Sequence, residues 1–250
     1  MKKFHLFSIL FFSLLAFDLT SQIITDESLP DEKRKKNKFP IDTVKTAKTE
    51  AYFGSNWAIS NRVLKVNEGL FQQELGERIN EKSLNTWSFG IGFRQYFKKP
   101  FSLDAGISLL QNGESYSYEE IDTNFHYQTT YTYIAMPIHF NYTTGNKLKL
   151  IAGVGITPQM FIRYKQDQQW KTKLNDEGEN SIKTKTEKFN SFVISATIQA
   201  GVNYSTGKRT SLYFIPEYRL QLNSSYLPNS GFLHYSRVFG INFGLSYIIE

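Results

Sequence analysis

The last strand-like stretch of the chain, residues 239–249, sets the strictest limit on how the molecule can fold. Its odd-numbered positions are bulky and apolar: Phe239, Ile241, Phe243, Leu245, Tyr247 and Ile249. The positions between them, up to residue 246, are small or polar and uncharged: Gly240, Asn242, Gly244 and Ser246. A period of two predicts a β-strand with one apolar face, and an uncharged second face is unusual for a surface in bulk water. The pattern is typical of an outer-membrane barrel strand, which has lipid on one side and a packed interior on the other.

Seven other segments have a similar character, which gives eight predicted strands. They span residues 49–62, 85–96, 101–109, 133–142, 148–157, 192–203 and 212–221. The first is the least regular, whereas the others alternate apolar with small or polar residues. From this alternation we expect the following side chains to face lipid: Trp87, Phe89, Phe93, Leu103, Ile138, Phe140, Phe214, Phe243 and Leu245.

Short and long connections alternate along these eight segments. The short ones contain turn residues and lie at residues 98–100, 144–146 and 206–209. The longer ones are hydrophilic and lie at residues 63–84, 117–125, 165–187 and 224–234. Outer-membrane barrels have short periplasmic turns and longer external loops. We therefore expect an all-β fold, an eight-stranded antiparallel up-and-down transmembrane β-barrel with short periplasmic turns and longer extracellular loops.

A soluble lipocalin-like barrel is the main alternative, because it also has eight strands. Its faces would be inverted, with apolar side chains around an internal ligand and the other face in water. That water-facing side should then carry many Lys and Glu residues. Here it is mostly Gly, Ser, Thr, Asn and Gln, which suits a narrow interior that side chains must fill. The composition of this face favours the membrane barrel.

The start of the chain indicates export. Residues 1–21 resemble a secretory signal peptide, with Lys2 and Lys3 before an apolar run that is too short for a spanning helix. Residues 22–48 are rich in charges of both signs and are expected to form a disordered periplasmic linker, and residues 49–250 the barrel. No later stretch is apolar enough for a spanning helix, so the strands must embed the chain. The expected location is the cell outer membrane.

The face that we expect to point inwards carries a small set of ionisable residues. They are Arg94, Asp104, Glu217, Arg219, Arg163 and His139. An eight-stranded barrel is only wide enough for side chains, so we expect these groups to pair across the interior. Such a network blocks a water-filled channel, which argues against a general pore.

Three prolines interrupt the predicted strands. Pro137, Pro158 and Pro216 each lack the N–H group that a β-ladder needs. We expect a bulge at each, or for Pro158 a position above the membrane where the strand loosens.

The sequence offers little for catalysis, metal binding or nucleic-acid binding. His126, and His234 with Ser236, lie near predicted outer strand ends, where lipid A-modifying barrel enzymes have Ser and His, but no third group that would orient a His is identifiable. The absence of Cys and the scattered His residues give no metal-ligand spacing. The net charge of +6 is spread over linker and turns and does not form a basic patch with stacking aromatics. We expect no enzyme activity, no cofactor, no metal and no nucleic-acid partner.

Two consecutive strands resemble a known family. Residues 133–142, YIAMPIHFNY, are similar to the Tyr-x-x-x-Pro-apolar strand of PorT-like outer-membrane β-barrel proteins of Bacteroidota. Residues 151–155, IAGVG, resemble the Gly-containing fifth strand of that family, and Ser21-Gln22 resembles its signal junctions. The resemblance implies an eight-stranded outer-membrane barrel, some members of which serve a secretion system linked to gliding motility.

The same resemblance bears on assembly and partners. Gly244, Tyr247 and Ile249 resemble the terminal signal read by the barrel assembly machinery, although the chain ends in Ile249-Glu250 instead of an aromatic residue. Expected partners are outer-membrane lipid and lipopolysaccharide, this machinery, and in one alternative periplasmic or secretion-complex proteins. The expected role is structural or interactive, with a secretion component as first alternative and a lipid A-modifying enzyme as second.

Overall fold

Eleven β-strands make up most of the part of the chain that the structure describes. The computed structural model describes residues 48–67, 78–98, 100–172, 177–184 and 189–249. The predicted signal peptide and all but the last residue of the predicted linker lie outside these ranges. The strands are β1 (Thr49–Val66), β2 (Glu81–Lys82), β3 (Leu84–Lys98), β4 (Phe101–Glu120), β5 (Thr123–Ala135), β6 (Ile138–Gly145), β7 (Leu148–Thr172), β8 (Glu177–Thr184), β9 (Phe192–Ser205), β10 (Thr210–Gln221) and β11 (Phe232–Ile249). No helix in these ranges is long and apolar enough to cross a membrane.

All strand pairs are antiparallel, and most strands that follow one another in the chain are neighbours. β3 pairs with β4, β7 with β9, β9 with β10, and β10 with β11. β1 pairs with β3 on one side and with β11 on the other, from Thr49 opposite Ile249 to Val66 opposite Phe232. β5 and β6 both lie between β4 and β7. The prediction of an all-β antiparallel fold is confirmed.

The strand count differs from the eight predicted segments for two reasons. The predicted segment 133–142 is divided at Met136 and Pro137 into the end of β5 and the start of β6. β2 and β8 lie in connections that were predicted as loops, where they pair with β4 and β7.

The strands are also longer than predicted at the end that carries the longer connections, which we call the loop end. β4 continues to Glu120 and β5 begins at Thr123, so most of the predicted loop 117–125 is a paired hairpin. β7 continues to Thr172 beside β5 and β8. Aromatic side chains on this extension pack together, since Tyr116 stacks on Tyr127 with ring centroids 5.2 Å apart. We call the opposite end, with the short turns after β3, β6 and β9, the turn end.

Burial alternates along the strands, with polar side chains on the buried face. On β10 the buried side chains are Ser211, Ile215, Glu217, Arg219 and Gln221. The exposed ones on the same strand are Leu212, Phe214, Tyr218 and Leu220. A soluble protein has the reverse arrangement, with its apolar face buried. The molecule therefore has a polar interior and an apolar exterior.

The three prolines do not produce the expected bulges. The pairing of β4 and of β7 keeps the same register before and after Pro137, and β7 passes Pro158 opposite Ile194 without a shift. At Pro216 the ladder with β11 continues, while the pairs with β9 lapse at Ile215 and Pro216. The missing N–H of Pro216 is thus accommodated by leaving one side of the strand unpaired locally. The register shifts lie elsewhere, between Tyr96 and Lys98 and between Thr132 and Tyr133.

Candidate functional site: the polar interior of the sheet

An Arg–Asp pair occupies the interior near the turn end. Arg94 Nε donates to Asp104 Oδ1 at 2.8 Å, and its Nη2 donates to Oδ2 at 2.7 Å. The two residues are direct neighbours in the β3–β4 register and both are buried. A two-point guanidinium–carboxylate contact satisfies both charges and fixes their geometry.

A second pair lies further along the interior, on β10. Arg219 Nη1 donates to Glu217 Oε1 at 3.0 Å. Asn242 Nδ2 and Asn56 Nδ2 donate to the same carboxylate at 2.8 and 3.2 Å. The second terminal nitrogen of Arg219, Nη2, donates to Asn112 Oδ1 on β4 at 3.3 Å.

The expectation that these charges pair across the interior is therefore wrong in its geometry. Each arginine bonds a carboxylate on the same strand or on the adjacent one. Side chains opposite each other on one face of a sheet are only about 5 Å apart, which makes neighbours the nearest partners. Of the hydrogen bonds that these two ion pairs make, the one from Arg219 to Asn112 spans the interior.

Arg163 does not belong to this network, so its predicted place was wrong. Its side chain is exposed on β7. Strict alternation from buried Phe161 would have turned it inwards, but the register shifts here: Tyr133 is opposite Phe161 and Thr132 is opposite Arg163. The extra residue, Ile162, reverses the alternation beyond it, as a β-bulge does.

His139 lies in the interior as predicted from its position in the strand, but it has no hydrogen-bond partner at Nε2 within the described residues. It is buried on β6 and lies opposite Asp104 in the register. A cavity of about 100 Å³ adjoins it, bounded among others by Asn56, Gln199 and Arg219. A space of this size is large enough for water, which can hydrogen-bond the polar side chains on its wall.

A cluster around Glu50 closes the interior at the turn end, and sequence reasoning did not identify it. The Glu50 carboxylate is buried and accepts hydrogen bonds from Lys48 at 2.8 Å, Lys149 at 3.3 Å and Tyr96 at 3.2 Å. Arg94 Nη1 lies 3.9 Å from Glu50 Oε2. The alternation of side chains along the strand could have indicated that Glu50 points inwards. Glu50 is an even number of positions from Asn56 and an odd number from Phe53 and Trp57.

An aromatic cluster fills the interior towards the loop end. Its buried members are Leu110, Tyr131, Tyr133, Ala135, Phe161, Phe189 and Val193, with Tyr164 and Tyr226 packed against them. Phe189 stacks on Tyr164 at 5.1 Å between ring centroids. It comes from outside the strands and reaches this cluster through a bridge to Tyr226. The cluster leaves this part of the interior packed with apolar atoms.

Glu114 lies above the aromatic cluster and connects several strands. His234 Nε2 lies 3.0 Å from its Oε2, Arg62 Nη1 donates to its Oε1 at 3.0 Å, and the Tyr131 hydroxyl donates at 3.4 Å. Arg62 Nη2 also donates to Glu81 at 2.6 Å. Burial opposes the charged form of Arg62, but the Glu114 carboxylate raises the pKa of its guanidinium above the ordinary value. Glu114 was not predicted because residues 110–120 were not recognised as a continuing strand.

His126 and His234, the two histidines considered for catalysis, lie on different strands, β5 and β11. His234 and Ser236 are buried on the interior face of β11, and the backbone N–H of Ser236 donates to Gln221 Oε1 at 3.2 Å. His126 lies on β5 with its Nε2 3.2 Å from Gln128 Nε2. Among the described residues, no group of three or more His, Cys, Asp or Glu side chains could hold a metal ion.

The residues predicted to face lipid lie on the outer side of the sheet. Seven are exposed: Trp87, Phe89, Phe93, Phe140, Phe214, Phe243 and Leu245. Leu103 and Ile138 are half-buried. Neighbouring rings cover part of each other, for example Trp87 and Phe243 with centroids 6.1 Å apart and planes at 85°. The exposed apolar surface is larger than a soluble monomer normally shows.

Among solved structures, the chain is similar to the outer membrane protein OprG from Pseudomonas aeruginosa, with 11% identity, 82% of this chain and 97% of that chain covered, and a TM-score of 0.42. It is also similar to neisserial surface protein A, with 10% identity, coverage of 80% and 96%, and a TM-score of 0.39. No curated protein sequence matches the chain.

The family comparison covers more than half of the chain. Residues 50–226 match the model of a family described as outer membrane protein beta-barrel domain. This range contains the paired strands from β1 to β10 and most of the interior network. The chain therefore belongs to the outer membrane protein β-barrel domain family and is a protein of the outer membrane.

Proposed function

We propose that the chain is a closed, eight-membered barrel without enzymatic activity that acts through contacts with other molecules. The observation that carries this proposal is an interior filled by paired polar groups and aromatic side chains, with a ribbon of strands beyond it. Such a barrel has surfaces that other molecules can bind, but it has no open channel. Its function would then depend on the molecules that it binds.

The strand pairing supports closure of the barrel. The neighbours run from β1 through β3, β4, β5 with β6, β7, β9 and β10 to β11, and β11 pairs with β1. β5 and β6 share one register with β4 and count as one member of the wall. A sheet whose first and last members pair has no open edge, which a lipid environment requires.

The exterior supports the assignment of the lipid face. We infer that the exposed apolar side chains from Trp87 to Phe97 on β3, and from Phe239 to Ile249 on β11, contact lipid. Each range covers about 11 residues, which matches the length of a tilted transmembrane strand. Beyond these ranges the exterior becomes polar, with exposed Asn85 and Arg237. The lumen charges of Arg94, Asp104, Glu217 and Arg219 then lie at membrane depth.

The ribbon at the loop end supports an interaction role. From residue 111 to residue 120, β4 spans roughly 30 Å of extended chain beyond the apolar range. It is paired with β5, and β5 in turn with β7. With short turns in the periplasm, this ribbon stands outside the cell, where lipopolysaccharide or a protein partner can reach it.

We infer that the chain is PorT-like within its family, on the basis of the strand 133–142. The main alternative function is that of a subunit in a secretion complex, with contacts on the periplasmic side. The lipid A-modifying alternative receives no support from the geometry, because His234 and Ser236 face the interior and not lipid. We also propose that the assembly machinery reads Gly244, Tyr247 and Ile249.

Photo-crosslinking in intact outer membranes tests the interaction role. A photoreactive residue replaces exposed Asn124 in the ribbon, Lys208 in a short turn, or Phe214 on the exterior as a lipid control. We expect a discrete protein or lipopolysaccharide adduct from position 124 and only lipid adducts from position 214. Protein adducts restricted to position 208 would favour the secretion subunit, and the absence of adducts at both 124 and 208 would contradict an interaction role.

A further inference from the structure

A cleft lies on one face of the ribbon that β4, β5 and β7 form at the loop end. Its volume is about 390 Å³, which lies within the range of about 300–1,000 Å³ that ligand sites have. Polar side chains from all three strands border it: Ser117, Glu119, Asn124, His126, Gln169 and Lys171. The molecule therefore has a concave polar surface outside its filled interior.

The register of the three strands arranges these side chains in two rows. Ser117 is opposite His126, which is opposite Gln169. In the second row Glu119 is opposite Asn124. Opposite side chains are about 5 Å apart and the rows are about 7 Å apart, so the polar groups cover roughly 10 Å by 7 Å. This area matches the footprint of a sugar ring.

The hydrogen-bonding groups of the cleft are suited to hydroxyl groups. A Glu119 carboxylate accepts hydrogen bonds, whereas Ser117 and Asn124 can both donate and accept them. None of these three side chains makes a hydrogen bond or an ion pair within the part of the chain that the structure describes, so they are open to a ligand. Since Lys171 adds a positive charge beside Glu119, the cleft does not select for a simple anion or cation. The mixture favours a ligand with many neighbouring hydroxyl groups.

The β-ladder of the ribbon holds the cleft in shape. The pairing of β4 with β5 has no register shift. On the opposite face of the ribbon, Tyr116 and Phe125 pack against Tyr127. At the side of β8, Gln169 Nε2 donates to Glu179 Oε1 at 3.0 Å. A site that is formed before binding loses little conformational entropy when a ligand enters.

The cleft lies on the same face of the sheet as the apolar exterior. Ser117 is an even number of positions from exposed Leu109 on β4, and His126 is an even number from exposed Ile134 on β5. The extended chain from Leu109 to Ser117 covers roughly 25 Å, which the tilt of barrel strands reduces to about 20 Å above the apolar range. In the orientation proposed above, the molecules beside the cleft are those of the outer leaflet, in which lipopolysaccharide projects its sugars from the membrane.

We propose that this cleft binds sugar rings of the lipopolysaccharide molecules that surround the barrel. Glu119 and Asn124 bond neighbouring hydroxyl groups of one ring, and Ser117 lies within reach of the same ring. The proposal rests on the interaction role proposed above and names the chemistry that the ribbon recognises. A protein partner would place an apolar anchor in such a cleft, for which the polar wall is unsuited.

Binding of lipopolysaccharide to the folded protein in detergent micelles tests the cleft. The probes are complete lipopolysaccharide from the source bacterium, and the lipid A and the polysaccharide that mild acid hydrolysis releases from it. The cleft variant carries Glu119→Ala and Asn124→Ala. The control variant, Glu120→Ala with Asn180→Ala, loses the same two groups at exposed positions on the other face of the ribbon. Microscale thermophoresis gives the dissociation constants.

We expect the wild type and the control variant to bind complete lipopolysaccharide about 30-fold more tightly than lipid A, and the cleft variant to bind both about equally. A 30-fold change is about 2 kcal/mol, the contribution of about two hydrogen bonds. The released polysaccharide should displace complete lipopolysaccharide from the wild type. Equal affinity of the wild type for both probes, or unchanged selectivity in the cleft variant, would overturn the proposal. Equally effective displacement by dextran would also overturn it, because the cleft would then accept sugars from any source.

Heat-dependent gel mobility of each sample shows whether the barrel is folded. If the cleft variant does not fold, the comparison of the two probes on the wild type remains the test. A folded wild type that does not distinguish the probes, but gives a protein adduct from position 124, contradicts the cleft and leaves the interaction role intact. The absence of adducts at both 124 and 208 contradicts the interaction role itself.

Discussion

Glycines on the interior face leave room for tyrosine side chains from neighbouring strands. A Cβ atom at Gly92 would contact the Tyr52 hydroxyl and lie 2.5 Å from the carbonyl oxygen of Ala105. The carbonyl belongs to the adjacent strand and cannot move without disturbing the ladder. We expect Gly92→Ala to lower the free energy of unfolding by about 1–3 kcal/mol, as overpacking does. Urea unfolding in liposomes measures it, and Gly207→Ala, which meets only Thr210 Oγ1 at 3.0 Å in an exposed turn, should leave stability almost unchanged.

The opposite faces of β11 can be tested at two adjacent positions. Leu245 is 57% exposed and Ser246 is 4% exposed. If Leu245 contacts lipid near the bilayer centre, Leu245→Arg should cost roughly 2–4 kcal/mol. Ser246→Ala should be nearly neutral, because the Ser246 hydroxyl has no partner among the described residues. Reversible refolding into liposomes compares the two, and the reverse order would show that the faces are assigned wrongly.

Single residues also show what the sequence could and could not predict. The period of two predicted the side of Arg94, Asp104, Glu217 and Arg219, since every second side chain of a strand shares a face. It failed at Arg163, because a bulge adds one residue on one strand only and leaves no trace in hydropathy. The partner of each charge was also unpredictable, since it depends on the register between strands.

Among the elements, the two-residue strand β2 depends on charge for its attachment. Glu81 accepts hydrogen bonds from Arg62 at 2.6 Å and Arg78 at 3.2 Å. Burial raises the pKa of Glu81, but the hydrogen bonds from the two arginines outweigh it and hold the pKa below its ordinary value of 4.5. A depressed folded pKa gives stability that is complete above pH 4.5 and is lost as the pH falls through the lower folded value.

We therefore expect β2 to detach from β4 in acid before the rest of the sheet unfolds. Amide hydrogen exchange of Ser117, whose N–H donates to the Asn80 carbonyl oxygen beside β2 at 3.0 Å, should accelerate as the pH falls through this range, after correction for intrinsic exchange. Glu81→Gln should show the fast exchange already at neutral pH. Unchanged protection of the Ser117 amide across the transition, with loss elsewhere, would contradict the role of Glu81.

At the same scale, strand lengths were predicted well only where the exterior is apolar. β10 was predicted as 212–221 and runs from Thr210 to Gln221. β4 was predicted to end near residue 109 but continues to Glu120. Beyond the apolar range both faces are polar, so hydropathy no longer alternates, and the strand is held by pairing with β5. Such pairing is a property of two segments and is invisible in either one.

For the whole molecule, the filled interior determines permeability. The Glu50 cluster and the Arg94–Asp104 pair lie at one end of the cavity, and the aromatic cluster lies at the other. We expect the protein in planar bilayers to show no steady open channel, because ions would have to pass packed side chains at both ends. A general porin serves as the positive control. A lasting conductance of porin size would contradict the filled interior.

The pairing of β1 with β11 also has a kinetic consequence. The two strands lie at opposite ends of the described chain, so this contact has a very large sequence separation and must form late. Until β11 has been synthesised, β1 presents an unpaired row of N–H and C=O groups, which is a site for aggregation. We therefore expect that this edge needs shielding until the final strand, eighteen residues long, is available to pair with it.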